Sequence, residues 1–321
     1  MIDTSFTRLV GATAPIQAAA MPGVTTVELI AAVANAGGLG MLPATLLTPE
    51  TLAADLDRLS RETTGVFGVN FLAPFLEPEA LGIAAQKARI VEFFYGEPDP
   101  AWVRDARAHG ALVGWQVGSP GEAAAAERAG CDYVIAQGSE AGGHVRGVTS
   151  LLPLLSQVLD AVHVPVLAAG GIATPRDLAA VLACGAAGAR LGTRFAATHE
   201  SAAHPEYVES LLAASAGDTC LTEAYSGMWP NAPHRVLRSA IAAAEALPDG
   251  PVGEVVIGGR KLPAIRFSVV CPTVGSTGHV RAMALYAGES VANIRSVRPA
   301  GAIVTELVAG AEEILRRRSQ S

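Results

Sequence analysis

Lysine is almost missing from the 321-residue chain: Lys87 and Lys261 are the only two. Charged residues make up 17% and the balance is acidic, −7 at pH 7, with no basic run longer than Arg316, Arg317 and Arg318. Such a surface cannot neutralise a phosphate backbone, so nucleic acid is excluded as a partner, and the three arginines are read as complementing the dipole of a last helix. Cys131, Cys184, Cys220 and Cys271 are scattered without CxxC or Cys/His spacing, which excludes a zinc site or a disulfide framework and fits a reducing cytoplasm. The opening MIDTSFTRLV lacks a charged segment followed by an apolar one, so no signal peptide is expected. The uncharged residues 29–49 contain Asn35, Pro43 and the glycines of GGLG, and read as helix, turn and strand rather than a membrane span. Walker, GxSxG and HExxH motifs are also missing, and GGLG at 37–40 lies between a helix and a strand, the reverse of a dinucleotide fingerprint.

What the chain does have is apolar residues, 50% of the total, in short recurrent runs. PIQAAAM, GLGML, FGVNF, IVEFFYG, ALVGWQV, YVIAQG, PVLAAGG and GARLGT make eight strand-length segments. Near-continuous apolarity suits a parallel sheet covered by helices. Between the runs, Thr25 with Glu28, Ser119 with Glu122 and Thr174 with Asp177 fit capping boxes, Pro120 and Pro175 stand at the first helical position, and Gly37, Gly130 and Gly185 close the helices. A further helix opens at Thr48 and carries Leu52, Leu56 and Leu59. The pattern predicts an α/β fold, a (β/α)8 TIM barrel over 1–214, with an open doubly wound sheet as the alternative. Residues 215–275 break the rhythm and are expected to form an inserted, mainly helical lid; 276–321 return to the barrel as C-terminal helices ending with Ile303, Leu307, Ala311 and Ile314 on one face.

In such a barrel the chemistry sits where strands end. That rule sorts the histidines. His109 and His163 precede strands, His199 and His204 lie beyond the eighth, and His234 and His279 fall in or after the insertion; His144 alone follows a strand directly, inside EAGGHVRG. Glycines such as Gly142 and Gly143 let the main chain approach a ligand closely, so His144 is the candidate catalytic residue. Gly170 and Gly171 end the seventh run, and Gly192 and Thr193 the eighth, the two loops that recurrently bind phosphate in these barrels. Ala20, Met21, Asn70, Gln116 and Gln137 stand at other strand ends, where amides and main-chain groups suit a planar ligand with many acceptors, such as a flavin, or else satisfy loop carbonyls.

Taken in order, PIQAAAMPG, ANAGGLGML, FGVNF, AQGSEAGGHVRG, LAAGGIATPRDL, GARLGTRFAATHES and ALYAGESVANIRSVRPAGAIVTELV resemble the nitronate monooxygenase family, formerly the 2-nitropropane dioxygenases, over nearly the whole chain. The resemblance implies non-covalent FMN, with His144 as the active-site histidine and Gly142 and Gly143 beside the flavin. It further implies that Gly171, Gly192 and Thr193 bind the phosphate, while Met21, Asn70, Gln116 and Gln137 surround the ring and ribityl chain. Three departures fall on the substrate side: Phe94 and Ser239 where relatives often have histidine and asparagine, and Glu289 for a common glutamine. Glu140 is open between ligand contact and loop cap.

The leading expectation is FMN-dependent oxidation of alkyl nitronates with O2 to a carbonyl compound and nitrite, with His144 taking the proton alpha to the nitro group when the neutral nitroalkane is offered. The alternative reverses the electron flow: NAD(P)H reduces FMN, which reduces a quinone or an enoyl thioester. A flavin-free sugar-phosphate barrel is disfavoured because neither lysine ends a strand and such barrels commonly use a Schiff base or paired carboxylates. The expected partners are a small-molecule substrate and O2, with no membrane; the alanine-rich helix faces suit either a homodimer or packing within one chain.

Overall fold

The computed structural model describes residues 2–257 and 260–318. Its chain opens with α1 (Ser5–Val10) and β1 (Ile16–Ala18), then alternates α2 (Val27–Asn35), β2 (Leu39–Pro43), α3 (Pro49–Glu62), β3 (Val66–Leu72), α4 (Pro78–Lys87), β4 (Ile90–Phe94), α5 (Pro100–Arg107), β5 (Leu112–Val117), α6 (Pro120–Ala129) and β6 (Tyr133–Gln137). After the two-residue β7 (Gly143–His144) come α7 (Leu151–Ala161), β8 (Val166–Ala169), α8 (Pro175–Ala183) and β9 (Gly188–Leu191). All of these strands except β7 pair in parallel and close into an eight-stranded barrel, with β1 bonded to both β2 and β9. Each barrel strand overlaps one of the eight apolar runs, with β3 extending one residue past its run at each end and β2 one residue past its own. The eighth place in the helical ring is taken by α12 (Ala300–Arg318), which packs on α8 and α2 and carries Arg316, Arg317 and Arg318 in its last turn.

Local sequence explains the helix starts. Thr48, Ser119 and Thr174 each accept from a main-chain N–H of the first turn, with proline at the first helical position, and Thr174 with Asp177 forms a complete capping box. Two details differ from expectation. The cap of α2 is Thr26, which accepts from Leu29 N, while the Thr25 hydroxyl accepts from Met21 N and so ties down the loop after β1. The Glu122 carboxylate reaches past Ser119 to Gly118 N. Gly37, Gly130 and Gly185 hold φ of 88°, 99° and 104°, the left-handed region that ends helices.

Strand residues alternate between the helix layer and the barrel interior. Val69, Val91, Phe93, Trp115 and Ala136 pack outward with the helices, whereas Leu39, Met41, Ile90, Ile135 and Leu167 fill the interior and meet Phe6 and Val10 of α1, which plugs the N-terminal end. Above that apolar plug the inward residues turn polar: Gln17, Asn70, Glu92, Gln116, Gln137 and Arg190 are all buried. Gly114 makes this layer possible, since a Cβ there would sit 2.3 Å from the Tyr133 ring whose hydroxyl donates to Glu92.

The inserted region is not mainly helical. Following α9 (Thr193–Ala196) and α10 (Pro205–Ala213), the chain forms β10 (Thr219–Thr222) and β11 (His234–Leu237), which join β7 in an antiparallel sheet. Then come α11 (Arg238–Glu245) and a second antiparallel sheet of β12 (Pro251–Ile257), β13 (Arg260–Ile265) and β14 (Thr277–Gly278). The Ala-rich stretch does make a helix, but Val252, Val255, Val256 and Ile257 are β-branched and pair as a strand, which overrides the helical expectation. The return to the barrel is by short 3-10 turns, Val280–Ala282 and Glu289–Asn293, before α12. Among the described residues no helix is long and apolar enough to cross a membrane. Gly114→Ala is expected to destabilise the fold by about 1–3 kcal/mol through overpacking against Tyr133, read as a lower thermal midpoint.

Candidate active site

A cavity of about 420 Å³ opens at the C-terminal ends of the barrel strands, a size suited to a small molecule or cofactor. Ala20 and Met21 reach it after β1, Asn70 from β3, Gln116 from β5 and Gln137 from β6. The loop after β6 contributes Gly142, Gly143 and His144, and the loops after β8 and β9 contribute Gly170, Gly171, Gly192 and Thr193. The fold thus gathers the candidate catalytic and cofactor-binding residues around one space, but not Glu140, Ser239 or Glu289.

Their local work differs. Gln137 spends both ends of its amide on the His144 loop, donating to His144 O at 2.8 Å and accepting from Arg146 N at 3.3 Å, so it is a fastener of that loop. Gly142 is needed for packing, since a Cβ would lie 2.5 Å from Gly288 N; Gly288 in turn donates to the Thr193 hydroxyl at 3.0 Å. Gly143, at φ 77°, has no heavy atom within 4 Å of where a Cβ would stand. The Glu140 carboxylate accepts from Leu151 N at 2.9 Å and therefore caps α7, whose own N-cap Ser150 makes no such bond.

His144 sits in an aromatic wall. Its ring stacks on Trp229 at 4.0 Å between centroids with Tyr95 at 6.0 Å, Tyr286 at 5.7 Å and His234 at 5.3 Å. The antiparallel pairing of β7 with β11 sets His144 opposite His234. His234 Nδ1 lies 2.9 Å from Ala232 O, while its Nε2 accepts from Tyr225 N at 3.1 Å. Both bonds together require a neutral ring with its proton on Nδ1. Burial lowers the pKa of His234, and burial reinforced by His234 drives that of His144 down to about 3. His144 Nε2 is buried without a partner.

Several contributors were not anticipated from the sequence. His234, Trp229 and Tyr286 come from beyond the barrel and carry no local signal of a site. Glu92 and Arg190 do carry one: each is a lone charge within an apolar strand, and they form a buried ion pair. Of the three departures, Phe94 lines the cavity, Glu289 pairs with Arg235 at 3.2 Å, and Ser239 is exposed on α11 and does not line it. His204 caps α10 by accepting from Glu206 N. Among the described residues no group of His, Cys, Asp and Glu could hold a metal ion.

The depressed pKa of His144 has a stability consequence. The unfolded chain takes up this proton near pH 6.5, the native protein only near 3, so the contribution is complete above pH 6.5 and is lost as pH falls towards 3. Urea unfolding of the cofactor-free protein is expected to show a pH slope across that window that His144→Phe reduces by up to ~1.4 kcal/mol per pH unit.

The nitronate monooxygenase family model matches residues 3–81 and 78–310. The chain is 37% identical over 239 residues to the (3aS,4S,5R,7aS)-5-hydroxy-7a-methyl-1-oxo-octahydro-1H-indene-4-carboxyl-CoA dehydrogenase of Rhodococcus jostii, covering 74% of this chain and 66% of that one. It is 32% identical over 261 residues to a probable nitronate monooxygenase of Staphylococcus aureus, covering 66% of this chain and 73% of the relative. Among solved structures, FabK from Thermotoga maritima superposes with a TM-score of 0.82 at 28% identity over 100% of this chain and 99% of that one. A nitroalkane oxidase from Streptomyces ansochromogenes does so with a TM-score of 0.79 at 30% identity over 99% and 100%. The chain is an oxidoreductase of the flavin-dependent nitronate monooxygenase family.

Proposed function

We propose that the protein binds FMN and exchanges hydride with an apolar carbonyl substrate, an enoyl or related acyl thioester, with NAD(P)H as the other electron partner. The observation that carries this reading is the buried, unpartnered Nε2 of His144 in a ring kept neutral. A neutral imidazole with its proton on Nε2 is a hydrogen-bond donor aimed at an acceptor that the protein itself does not supply. A substrate carbonyl oxygen is such an acceptor, and a donor of this kind typically contributes 10² to 10³ in rate.

The cavity wall supports the same class. Phe75, Phe94, Trp229, Val269 and Val270 line it, with Leu46 and Met228 exposed at its rim, and its one full cation, Arg190, is already paired with Glu92. An uncharged acyl group suits these surfaces better than a small anion does. The relative from Rhodococcus, named for a carboxyl-CoA thioester on a fused ring, agrees with a bulky apolar ligand.

The residues present also fit FMN. Gly143 and Gly171, both at positive φ, leave open the space that side chains would fill, and the nearest heavy atom to a Cβ on Gly171 is 3.8 Å away. Gly170, Gly171, Gly192 and Thr193 would take its phosphate, and Asn70 and Gln116 its ring. When bound, FMN supplies hydride and one-electron chemistry. The chain positions the substrate, donates from His144 and keeps water out with Trp229 and Tyr286.

Nitronate oxidation with O2 is the second reading, favoured by the end-to-end similarity to the Streptomyces nitroalkane oxidase. In it the substrate arrives already deprotonated, because a histidine with a pKa of about 3 is a weak base for a neutral nitroalkane.

The test is a visible spectrum of the purified protein followed by anaerobic additions in one cuvette. Bleaching by NADH or NADPH and recolouring by a medium-chain enoyl-CoA is the expected result. Bleaching only by ethylnitronate or propionate 3-nitronate overturns the thioester reading in favour of the second. His144→Ala is expected to keep its FMN and lose 10² to 10³ in kcat/KM. A wild-type rate that is flat from pH 5 to 8 fits donation from a neutral ring, whereas an acid limb near pH 6.5 contradicts it.

A further inference from the structure

The polar layer beneath the cavity has a single organising group. The Glu92 carboxylate, with no exposed surface, accepts from Gln17 Nε2 at 2.9 Å, Asn70 Nδ2 at 2.8 Å, the Tyr133 hydroxyl at 3.1 Å and the Arg190 guanidinium. Only Asn70 and Arg190 of these four also line the cavity. A carboxylate can accept but not donate, so it dictates which end each neighbouring amide turns towards it. Gln17 demonstrates the strength of that demand: its NH2 faces Glu92 and its Oε1 is left buried without a partner, an arrangement that is ordinarily destabilising.

We propose that Glu92 is a positioning residue for the flavin: it turns the Asn70 side-chain oxygen towards the cavity, and its negative charge offsets Arg190 so that the cavity floor presents a donor without a net positive field. The inference rests on the FMN reading above. Glu92 touches no ligand; it acts through Asn70 and Arg190. Removing its charge leaves Arg190 as an uncompensated buried cation at the floor. Reduction adds negative charge to the flavin ring, so the cation then favours the reduced form whichever part of the ring lies above it. Removing the Arg190 charge instead leaves Glu92 uncompensated and disfavours reduction.

Opposite shifts are therefore the signature. Anaerobic spectroelectrochemistry of FMN-loaded wild type, Glu92→Gln, Arg190→Gln and the double variant reads them directly. Glu92→Gln is expected to raise the midpoint potential, with at least a tenfold change in the reduction equilibrium, or ~30 mV for a two-electron couple. Arg190→Gln is expected to lower it by a similar factor, and the double variant to return towards wild type. Melting temperatures below wild type with all potentials unchanged would make the pair purely structural and overturn the inference. If one single variant does not fold, the sign of the shift in the other decides by itself. A wild-type protein that stays colourless with FMN overturns both this inference and the FMN reading, whereas a yellow wild type whose variants share its potential overturns this inference alone.

Discussion

A closed parallel barrel leaves no freedom over which side a strand residue faces. Each step along a strand turns a side chain from the helix layer to an interior too narrow to keep polar groups in water, so any charge placed there must find its partners within the barrel. The floor of the cavity at the mouth of this barrel follows from how that demand is met. Apolar inward residues and α1 close one end, and above them Glu92 collects four donors. A carboxylate so surrounded is a fixed point: the amides cannot rotate without breaking a bond to it. The cavity above therefore has a floor whose polarity is set before any ligand arrives, which is the electrostatic preorganisation that catalysis in a dry site depends on.

The walls are built on a different principle. His144 belongs to the loop after β6, but its conformation is held by a sheet from the inserted region, since β7 exists only by pairing with β11. That pairing brings His234 against His144, and burial keeps His234 neutral, with its Nε2 taken up as acceptor by the Tyr225 N–H. The result is a histidine whose neutral form is favoured by its neighbours as well as by burial. Trp229, seated on its face, belongs to the same inserted segment. The glycine loops and the floor of the cavity thus come from the barrel, while Trp229 and His234 beside the candidate catalytic ring come from the insertion.

This division also explains what can be read from the sequence. The eight strands are legible because both sides of each are buried, so they appear as unbroken apolar runs; their ends then locate His144, Asn70, Gln116, Gln137 and the glycines of the last two loops. Even the caps are visible, to within the single residue that separates Thr25 from Thr26. Residues joined only by tertiary pairing are not legible. Nothing near His234 announces that it will lie opposite His144, because that register is fixed by sheet formation between segments far apart in the chain. The insertion is misread as helical for a related reason: its Ala-rich stretch has strong local propensity, whereas its strands are stabilised by partners that a local reading does not see. Glu92 and Arg190 lie between these cases. Each is visible as a charge where an apolar strand should have none, and the pairing that accounts for both is apparent only once β4 and β9 face the same interior.

The separation of floor from wall bears on how one family can include proteins named for nitronates and proteins named for CoA thioesters. Binding and tuning a flavin demand fixed geometry, and on the reading proposed above that geometry is tied into the barrel closure, where a change in one amide would propagate to Glu92 and to every donor on it. Substrate selection demands only a change of surface. Phe94 and the aromatic residues of the insertion can vary without disturbing the polar layer, because they pack among Tyr95, Trp229 and Ala232 and share no hydrogen bond with Glu92. A neutral His144 fits that division, since a donor that carries no charge can serve either a thioester carbonyl or a nitro group. On the proposed reading, which of the two is used depends on the apolar volume that the insertion leaves in front of it.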